Sequence, residues 1–333
     1  MKTKVLEQKS QDYWCDYNAT NITPPILWRR MNNGGHRFYY AEDNDEIIIG
    51  AGITTVIAKA FPESIFLRDW KDRTPNHKEL LNTMANYGTL CHIGFQSLLT
   101  DKKLDSSLIE IADEVFGMRE KFKRDMVSLA FFIEKHNVKP LFIEGILAKK
   151  VINKNGYVDY ICTAIDLFCE MDIEEKNEVQ DGYYKSGERK GEPKFVKEVT
   201  TKRVFAILDL KSNYDDKEEK SFFDSHFMQL LHGASCIEEQ FGIKPLMFNL
   251  STKKWTKEPA YFLKHWVDKP NKRGYTTEEL MNKAFESAIL SGIIEPSGSV
   301  LEIDNIGVGT TSLKTLSYHD MAFERLTYLK MQS

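Results

Sequence analysis

Hydrophobic residues recur at two different periods along the chain, and the change of period separates helical segments from strand-like ones. Over 76–99 and 119–136, apolar residues lie three or four positions apart, which predicts two amphipathic helices. Dense apolar runs over 140–151, 156–169 and 195–211 then predict three strands. This part of the chain therefore changes from helices to a sheet.

The segments on either side of the three strands complete the expected fold. A hairpin is predicted over 37–49, and a helix over 221–241 with Gly242 at its end. A strand follows over 244–250, and a capping box at 276–279 marks the start of a further helix. The order of elements predicts an α/β (α+β) fold with a central mixed β-sheet flanked by helices.

Breaks in the pattern suggest how the chain is organised. Residues 1–35 are polar and contain proline and glycine pairs, which predicts an irregular N-terminal segment. Residues 36–265 are expected to form one domain, with a Lys/Glu/Gly-rich insert at about 174–194 that is either an exposed loop or an extended hairpin. Residues 270–333 are a C-terminal extension of unassigned role.

Composition restricts the class of protein. The 333 residues are 42% hydrophobic and 28% charged, as in ordinary soluble domains, and the net charge of −4 argues against a uniform electrostatic grip on nucleic acid. We find no pattern typical of a signal peptide or a bilayer-spanning segment, which predicts a cytoplasmic protein with no membrane partner. The five cysteines include no CxxC pair, which predicts buried free thiols.

Candidate chemistry begins at the end of the third predicted strand, with Asp209-Leu210-Lys211. Asp209 and Lys211 share one strand face because side chains alternate with period two. Taken alone, such a pair is more often a solvated ion pair than a catalytic one. Glu144 is more informative, because a carboxylate within an apolar run is costly to bury without a partner or a metal.

Three further polar residues complete the set. His92 lies on the first helix, one turn after Gly88, although a lone histidine there is more often structural than a ligand. Asp159 ends a Gly-x-x-Asp motif that would equally suit a turn. Gln229 lies on the helix after the third strand, where a solvated polar helix edge is an equally good explanation. Carboxylates at these spacings are typical of a site for a hard divalent cation and a phosphate.

The order of these motifs resembles that of the PD-(D/E)xK nuclease superfamily, and within it the RecB-type and phage-exonuclease-like branch. The resemblance covers roughly residues 36–265 and implies a restriction-endonuclease-like core. It departs at Gly233, where relatives often carry tyrosine. It also implies no iron–sulfur cluster here, since the cysteines do not fit that arrangement.

The resemblance implies a role for each residue. It assigns Mg²⁺ or Mn²⁺ as the cofactor, with catalytic roles for Glu144, Asp159, Asp209, Lys211 and Gln229. The implied metal ligands are His92, Asp159, Asp209 and the backbone carbonyl of Leu210, with Glu144 at a second or water-mediated position. Lys211 would orient the attacking water, and Gln229 would brace the site or touch DNA.

The implied activity is that of a metal-dependent DNA nuclease, with a phage-type exonuclease of DNA recombination, repair or processing as the first interpretation. Alternatives are a structure- or sequence-specific endonuclease and an inactive DNA-binding module. The chain has no P-loop motif, so a motor would come from a helicase partner; recombination or single-strand-binding partners fit the same interpretation. If phage-encoded, the protein would act in the host cytoplasm.

The insert at 174–194 offers a second DNA contact. Its basic residues predict a DNA-contacting arm because lysine and arginine contact phosphates. The alternative is a solvated hairpin, because Glu188 and Glu192 lie among the basic residues. The residues concerned are Lys185, Arg189, Lys190 and Lys194.

Overall fold

The computed structural model describes residues 12–13, 22–33, 36–43, 46–61, 63, 65–101, 103–152, 158–183, 185–216, 218 and 221–290. The strands in these ranges are β1 (Asp12–Tyr13), β2 (Arg29–Asn33), β3 (His36–Asp43), β4 (Glu46–Gly52), β5 (Lys139–Ile152), β6 (Val158–Tyr183), β7 (Pro193–Leu210), β8 (Leu246–Thr252) and β9 (Tyr261–Trp266). The helices are α1 (Ile53–Ala60), α2 (Ile65–Arg73), α3 (His77–Thr100), α4 (Ser106–Phe116), α5 (Arg119–Lys135), α6 (Asp224–Phe241) and α7 (Thr277–Leu290).

All the described strands join one mixed sheet, in the order β1-β2-β3-β4-β6-β7-β8-β9, with β5 paired to β6. The pairs β4–β6 and β7–β8 are parallel, and the other pairs are antiparallel. The predicted central mixed sheet with flanking helices is confirmed.

Strand β6 has two different neighbours along one edge. Antiparallel β5 occupies its other edge over residues 158–170. On the shared edge, β4 pairs with residues 160–162, and the ladder with β7 begins at Leu167. The edge of β6 over residues 163–166 therefore lies in a fork between β4 and β7, and the candidate site lies at this fork.

Helices cover both faces of the sheet. One apolar core joins α3, α4 and α5 to the sheet, and it includes Phe122 and Phe132, whose side chains are fully buried. A second core lies on the opposite face beneath α6 and contains Ile165, Ile207 and Ile237. The site is thus held between two packed layers.

Gly233 explains how closely α6 approaches the sheet. A Cβ atom at this position would lie only 2.7 Å from Cδ1 of Ile207 on β7. A larger side chain would force either the end of the Ile207 side chain to shift or α6 to move away from β7. Gly233 therefore has a packing role.

Several sequence predictions differ from the structure at element boundaries. The first 35 residues are not irregular throughout, because β2 pairs with β3 over Arg29–Asn33. Strand β9 was missed, as were α1, α2 and α4. The insert at 174–194 is an extended hairpin, since β6 and β7 pair from Leu167 to Tyr183. The tail, Gly292 and the turn at 153–156 lie outside the described residues.

The burial of the cysteines agrees with the sequence. The free thiols of Cys91, Cys162, Cys169 and Cys236 are all buried, as predicted, and Cys15 lies outside the described residues. Among the helices described, none combines the length and apolar character needed to cross a lipid bilayer.

His232 ties α6 to the sheet and gives a testable pH dependence. Its Nε2 donates to the Ile161 carbonyl at 3.0 Å, and burial lowers the pKa of His232 to about 4. Protons bind this residue more readily in the unfolded chain, so its contribution to stability is full above about pH 6.5 and is lost as pH falls towards 4. The loss amounts to about 3 kcal/mol at most.

We expect His232→Gln to make unfolding less sensitive to acid than in the wild type between pH 6.5 and 4. Urea unfolding at several pH values measures this slope. Gln240→Ala serves as the control, because it removes a side chain of α6 that does not titrate and donates to the Ala148 carbonyl at 2.9 Å, and it should keep the wild-type slope. An unchanged slope in His232→Gln would contradict the assignment.

Candidate metal centre

Glu144 and Asp166 face one another across the β5–β6 ladder. Ile143 pairs with Leu167 and Gly145 with Ile165, which sets Glu144 opposite Asp166. The backbone of Glu144 has a φ of 49°, a left-handed conformation that costs about 1–2 kcal/mol for a residue other than glycine. This cost is paid at a carboxylate that is only 6% exposed.

The regular alternation of side chains breaks at this pair. Phe142 and Leu147 are five positions apart on β5 yet pack in the same core, beneath α6. Ile165 and Phe168, three apart on β6, do the same. In a regular strand an odd separation places side chains on opposite faces. The break therefore allows Glu144 and Asp166 to leave the core faces and meet at the fork.

The end of β7 brings in the next two side chains. The Leu210 backbone N–H donates to Asp166 Oδ2 at 2.7 Å. Lys211 Nζ donates to Asp209 Oδ1 at 2.8 Å, as expected if both side chains share one strand face. This bonding ties β7 to β6 just where their ladder ends.

His92 reaches the same point from α3. Its Nε2 lies 3.0 Å from the Leu210 carbonyl, and its Nδ1 lies 3.1 Å from Glu144 Oε1 and 3.4 Å from Asp166 Oδ1. Because a carbonyl and a carboxylate only accept, both ring nitrogens act as donors in this arrangement. His92, Glu144 and Asp166 each present a ligand atom within 4.8 Å of the others.

The pKa values reflect an excess of buried negative charge. Burial alone would lower the pKa of His92, but Asp166 and Glu144 raise it to about 10. Burial raises the pKa of Asp209 to about 6 despite the opposing charge of Lys211. Burial would lower the pKa of Lys211, but Asp209 and Asp166 raise it. The cluster thus contains three carboxylates but only two basic side chains, His92 and Lys211.

The donor set suits a divalent cation. It offers the imidazole of His92, three carboxylates and the Leu210 carbonyl, which are ligand types that such ions accept in proteins. The buried excess of negative charge is the electrostatic condition under which a cation stabilises a cluster. On both grounds the residues fit a metal ion.

Asn249 on β8 is a site residue that the sequence prediction missed. It lies beside Asp209 in the β7–β8 register, and its Nδ2 donates to Asp209 Oδ2. Its Oδ1 accepts from Trp266 Nε1 at 2.7 Å. Lys211 and Asn249 together satisfy both oxygens of Asp209. The available signal was an asparagine within the apolar run Leu246–Leu250, and the structure shows that it is fully buried.

The loop after Lys211 is anchored to two helices. A Cβ atom on Gly88 of α3 would approach Ser212 Oγ to 3.3 Å, so the glycine permits the close contact expected of it. The rings of Tyr214 and Tyr87 meet edge to face, with centroids 5.6 Å apart. Arg124 of α5 pairs with Asp216. These contacts fix the position at which Lys211 leaves the sheet.

Gln229 reaches the site from α6. It lines a small cleft at the fork together with Asp166 and Asp209. The other lining residues are Thr163, Ala164, Ile165, Ile207, Leu208 and Leu230. The structure thus brings together His92, Glu144, Asp209, Leu210, Lys211 and Gln229, all predicted from the sequence.

Asp159 is the exception and requires a correction. Its backbone pairs with Val151, seven residues before Asp166 on β6. At the usual rise of a strand this is about 23 Å from the cluster. Asp166 occupies the position assigned to Asp159. Its signal was a carboxylate within the apolar run Tyr160–Met171, the same signal that identified Glu144.

The predicted DNA-contacting arm lies at the tip of the β6–β7 hairpin. Lys185, Arg189 and Lys190 are exposed there, and Lys194 is partly buried. Arg189 pairs with Glu192 at 2.9 Å, and Lys194 pairs with Asp181 at 2.9 Å. Much of the positive charge of the arm is therefore neutralised within the hairpin.

The left-handed backbone of Glu144 leads to a stability prediction. We expect Glu144→Gly to be more stable than Glu144→Ala by about 1 kcal/mol, because only glycine adopts this φ without cost. Both variants lose the carboxylate, so the difference between their free energies of unfolding reports the cost of the left-handed backbone at position 144. Urea unfolding measures it. At Thr201, a strand residue without positive φ, the order should reverse; the same order at both positions would contradict the prediction.

No protein-family model, curated protein or solved structure matches this chain. The function must therefore be inferred from the site itself.

Proposed function

We propose that the protein is a metal-dependent DNA nuclease that hydrolyses phosphodiester bonds. The observation that carries the proposal is the meeting of His92, Asp166, Asp209 and Lys211 at the fork of β6 and β7. An acid on one strand, with an acid and a lysine on the next, is the arrangement that the PD-(D/E)xK resemblance implies. We also propose that the sheet and its flanking helices form a restriction-endonuclease-like core.

The residues that would hold Mg²⁺ or Mn²⁺ are His92, Asp166, Asp209 and the Leu210 carbonyl, with Glu144 at a second or water-mediated position. A bound metal ion would lower the pKa of a water and neutralise charge on the scissile phosphate. His92 would lose a proton on becoming a ligand, because a ligating imidazole is neutral.

The other side chains have their own tasks. Lys211, held beside Asp209, keeps its proton and presents positive charge where the phosphate gains negative charge, which is usually the largest catalytic effect. Asn249 fixes the orientation of Asp209 through Oδ2. Gln229, in the same cleft, is placed to brace the site or contact a phosphate.

Exonuclease action is the form we propose first, with roles in DNA recombination, repair or processing. End-labelled linear DNA and covalently closed circles, incubated with Mg²⁺ and with Mn²⁺, distinguish the forms. Loss of linear DNA alone indicates an exonuclease, and cleavage of circles indicates an endonuclease. Binding of DNA without cleavage by the wild type would indicate a binding module instead.

The variants test the site assignment. We expect Asp166→Asn and Asp209→Asn each to lower the cleavage rate by at least about a hundredfold, because each removes buried charge at the reacting centre. Asp159→Asn is the matched control and should cleave at the wild-type rate. Full activity in Asp166→Asn would overturn the assignment.

Metal binding gives a readout that does not depend on activity. We expect isothermal titration calorimetry to show Mn²⁺ binding to the wild type and to Asp159→Asn, with binding at least tenfold weaker in Asp166→Asn, about the loss seen when metal-site groups are removed. Weakening in Asp159→Asn alone would restore the ligand set predicted from the sequence.

A further inference from the structure

The segment 253–273 is strongly basic in a chain whose net charge is −4. It forms the β8–β9 turn, strand β9 and the loop before α7. Seven basic residues and two acidic ones, Glu258 and Asp268, lie in it. The basic residues are Lys253, Lys254, Lys257, Lys264, Lys269, Lys272 and Arg273.

In the part of the chain that the structure describes, salt bridges neutralise little of this charge. Among the described residues, the salt bridges include none of the seven basic side chains. Asp268 instead accepts from the backbone N–H groups of Thr277 and Glu278, at 2.8 and 3.0 Å, and caps α7. The β6–β7 arm differs, since its Lys194 and Lys202 both form ion pairs.

Two of the lysines share a sheet face with Asp209. Asp209 lies beside Asn249, and Asn249 lies beside Lys264, so the three side chains form a row across β7, β8 and β9. Two strand spacings separate the Cα atoms of Asp209 and Lys264 by about 10 Å. Lys253 lies on the same face, with its Nζ 5.3 Å from the centroid of the Phe262 ring.

Aromatic rings, rather than carboxylates, hold these ammonium groups. Lys264 Nζ lies 5.0 Å from the centroid of the Trp266 ring, whose Nε1 donates to Asn249. Phe262 lies on β9 between the two lysines, opposite Ser251, and is partly exposed. A cation–π contact positions a lysine without cancelling its charge. Both ammonium groups remain able to bind an anion.

We propose that Lys253, Phe262 and Lys264 bind the DNA strand next to the scissile phosphate, in single-stranded form. This inference rests on the proposed nuclease function. The lysines match the phosphates, and the aromatic ring between them suits a stacked base. Lys253, Phe262 and Lys264 follow one another along the β8–β9 edge. This arrangement matches one phosphate backbone rather than the two backbones of a duplex. Glu218 lines a cleft together with Lys253, Lys254, Trp255 and Thr256, so one carboxylate lies near this end of the basic segment.

The test is fluorescence anisotropy with a labelled oligothymidine, in EDTA so that cleavage does not occur. We expect the double variant Lys253→Gln/Lys264→Gln to bind about tenfold more weakly than the wild type. The slope of log affinity against log salt should fall by about 0.7 for each lysine removed. Unchanged affinity and slope would overturn the proposal.

The matched control is Lys78→Gln/Lys103→Gln, at two exposed positions in and just after α3, which removes the same charge. It should bind oligothymidine as the wild type does. Lys185→Gln/Lys190→Gln in the β6–β7 arm is a third variant, and weakening only there would place the DNA on the arm and overturn the proposal. A duplex of the same length is the second probe, and a loss confined to the duplex would also overturn the proposal. DNA binding is measured without metal and does not depend on cleavage. If the protein binds oligothymidine as expected but cleaves no DNA, the nuclease proposal fails while the binding result stands.

Discussion

The burial of three carboxylates in one small volume is the constraint on which the rest of the site depends. Glu144 and Asp209 are 6% and 4% exposed, and Asp166 joins them at the end of the β6–β7 ladder. Each charge would be costly to bury alone, so the surrounding elements supply donors. The helix α3 contributes His92, and the strands contribute Lys211 and Asn249. The helix α3 and the β7–β8 part of the sheet thus both contribute to the same cluster.

Much of the fold followed from the period of the hydrophobic residues. The helices α3, α5 and α6 and the strands β5 to β8 were predicted because each buries one broad apolar face or run. Strand β9 was missed because it reads Tyr-Phe-Leu-Lys-His-Trp, with polar residues on an edge strand. Its strand character comes from pairing with β8, which is a tertiary interaction.

Site residues that belong to a short sequence motif could be predicted. Site residues that meet only through the register of the strands could not. Asp209 and Lys211 could be paired because two residues separate them on one strand. Asp159 was chosen for its glycine motif, yet position along β6 decided the outcome and favoured Asp166. Asn249 and Trp266 reach Asp209 only through the β7–β8–β9 alignment. No spacing within the sequence reports that alignment.

The fork in β6 also bears on how the cleft can move. One wall is anchored where β4 pairs with residues 160–162, and the other where β7 pairs from Leu167 onwards. A single continuous strand connects the walls, and β5 pairs with it on both sides of Asp166, at Leu167 and at Ile165. Widening the cleft would mean bending β6 against this pairing. The backbone of β6 therefore sets the width of the cleft before a ligand binds.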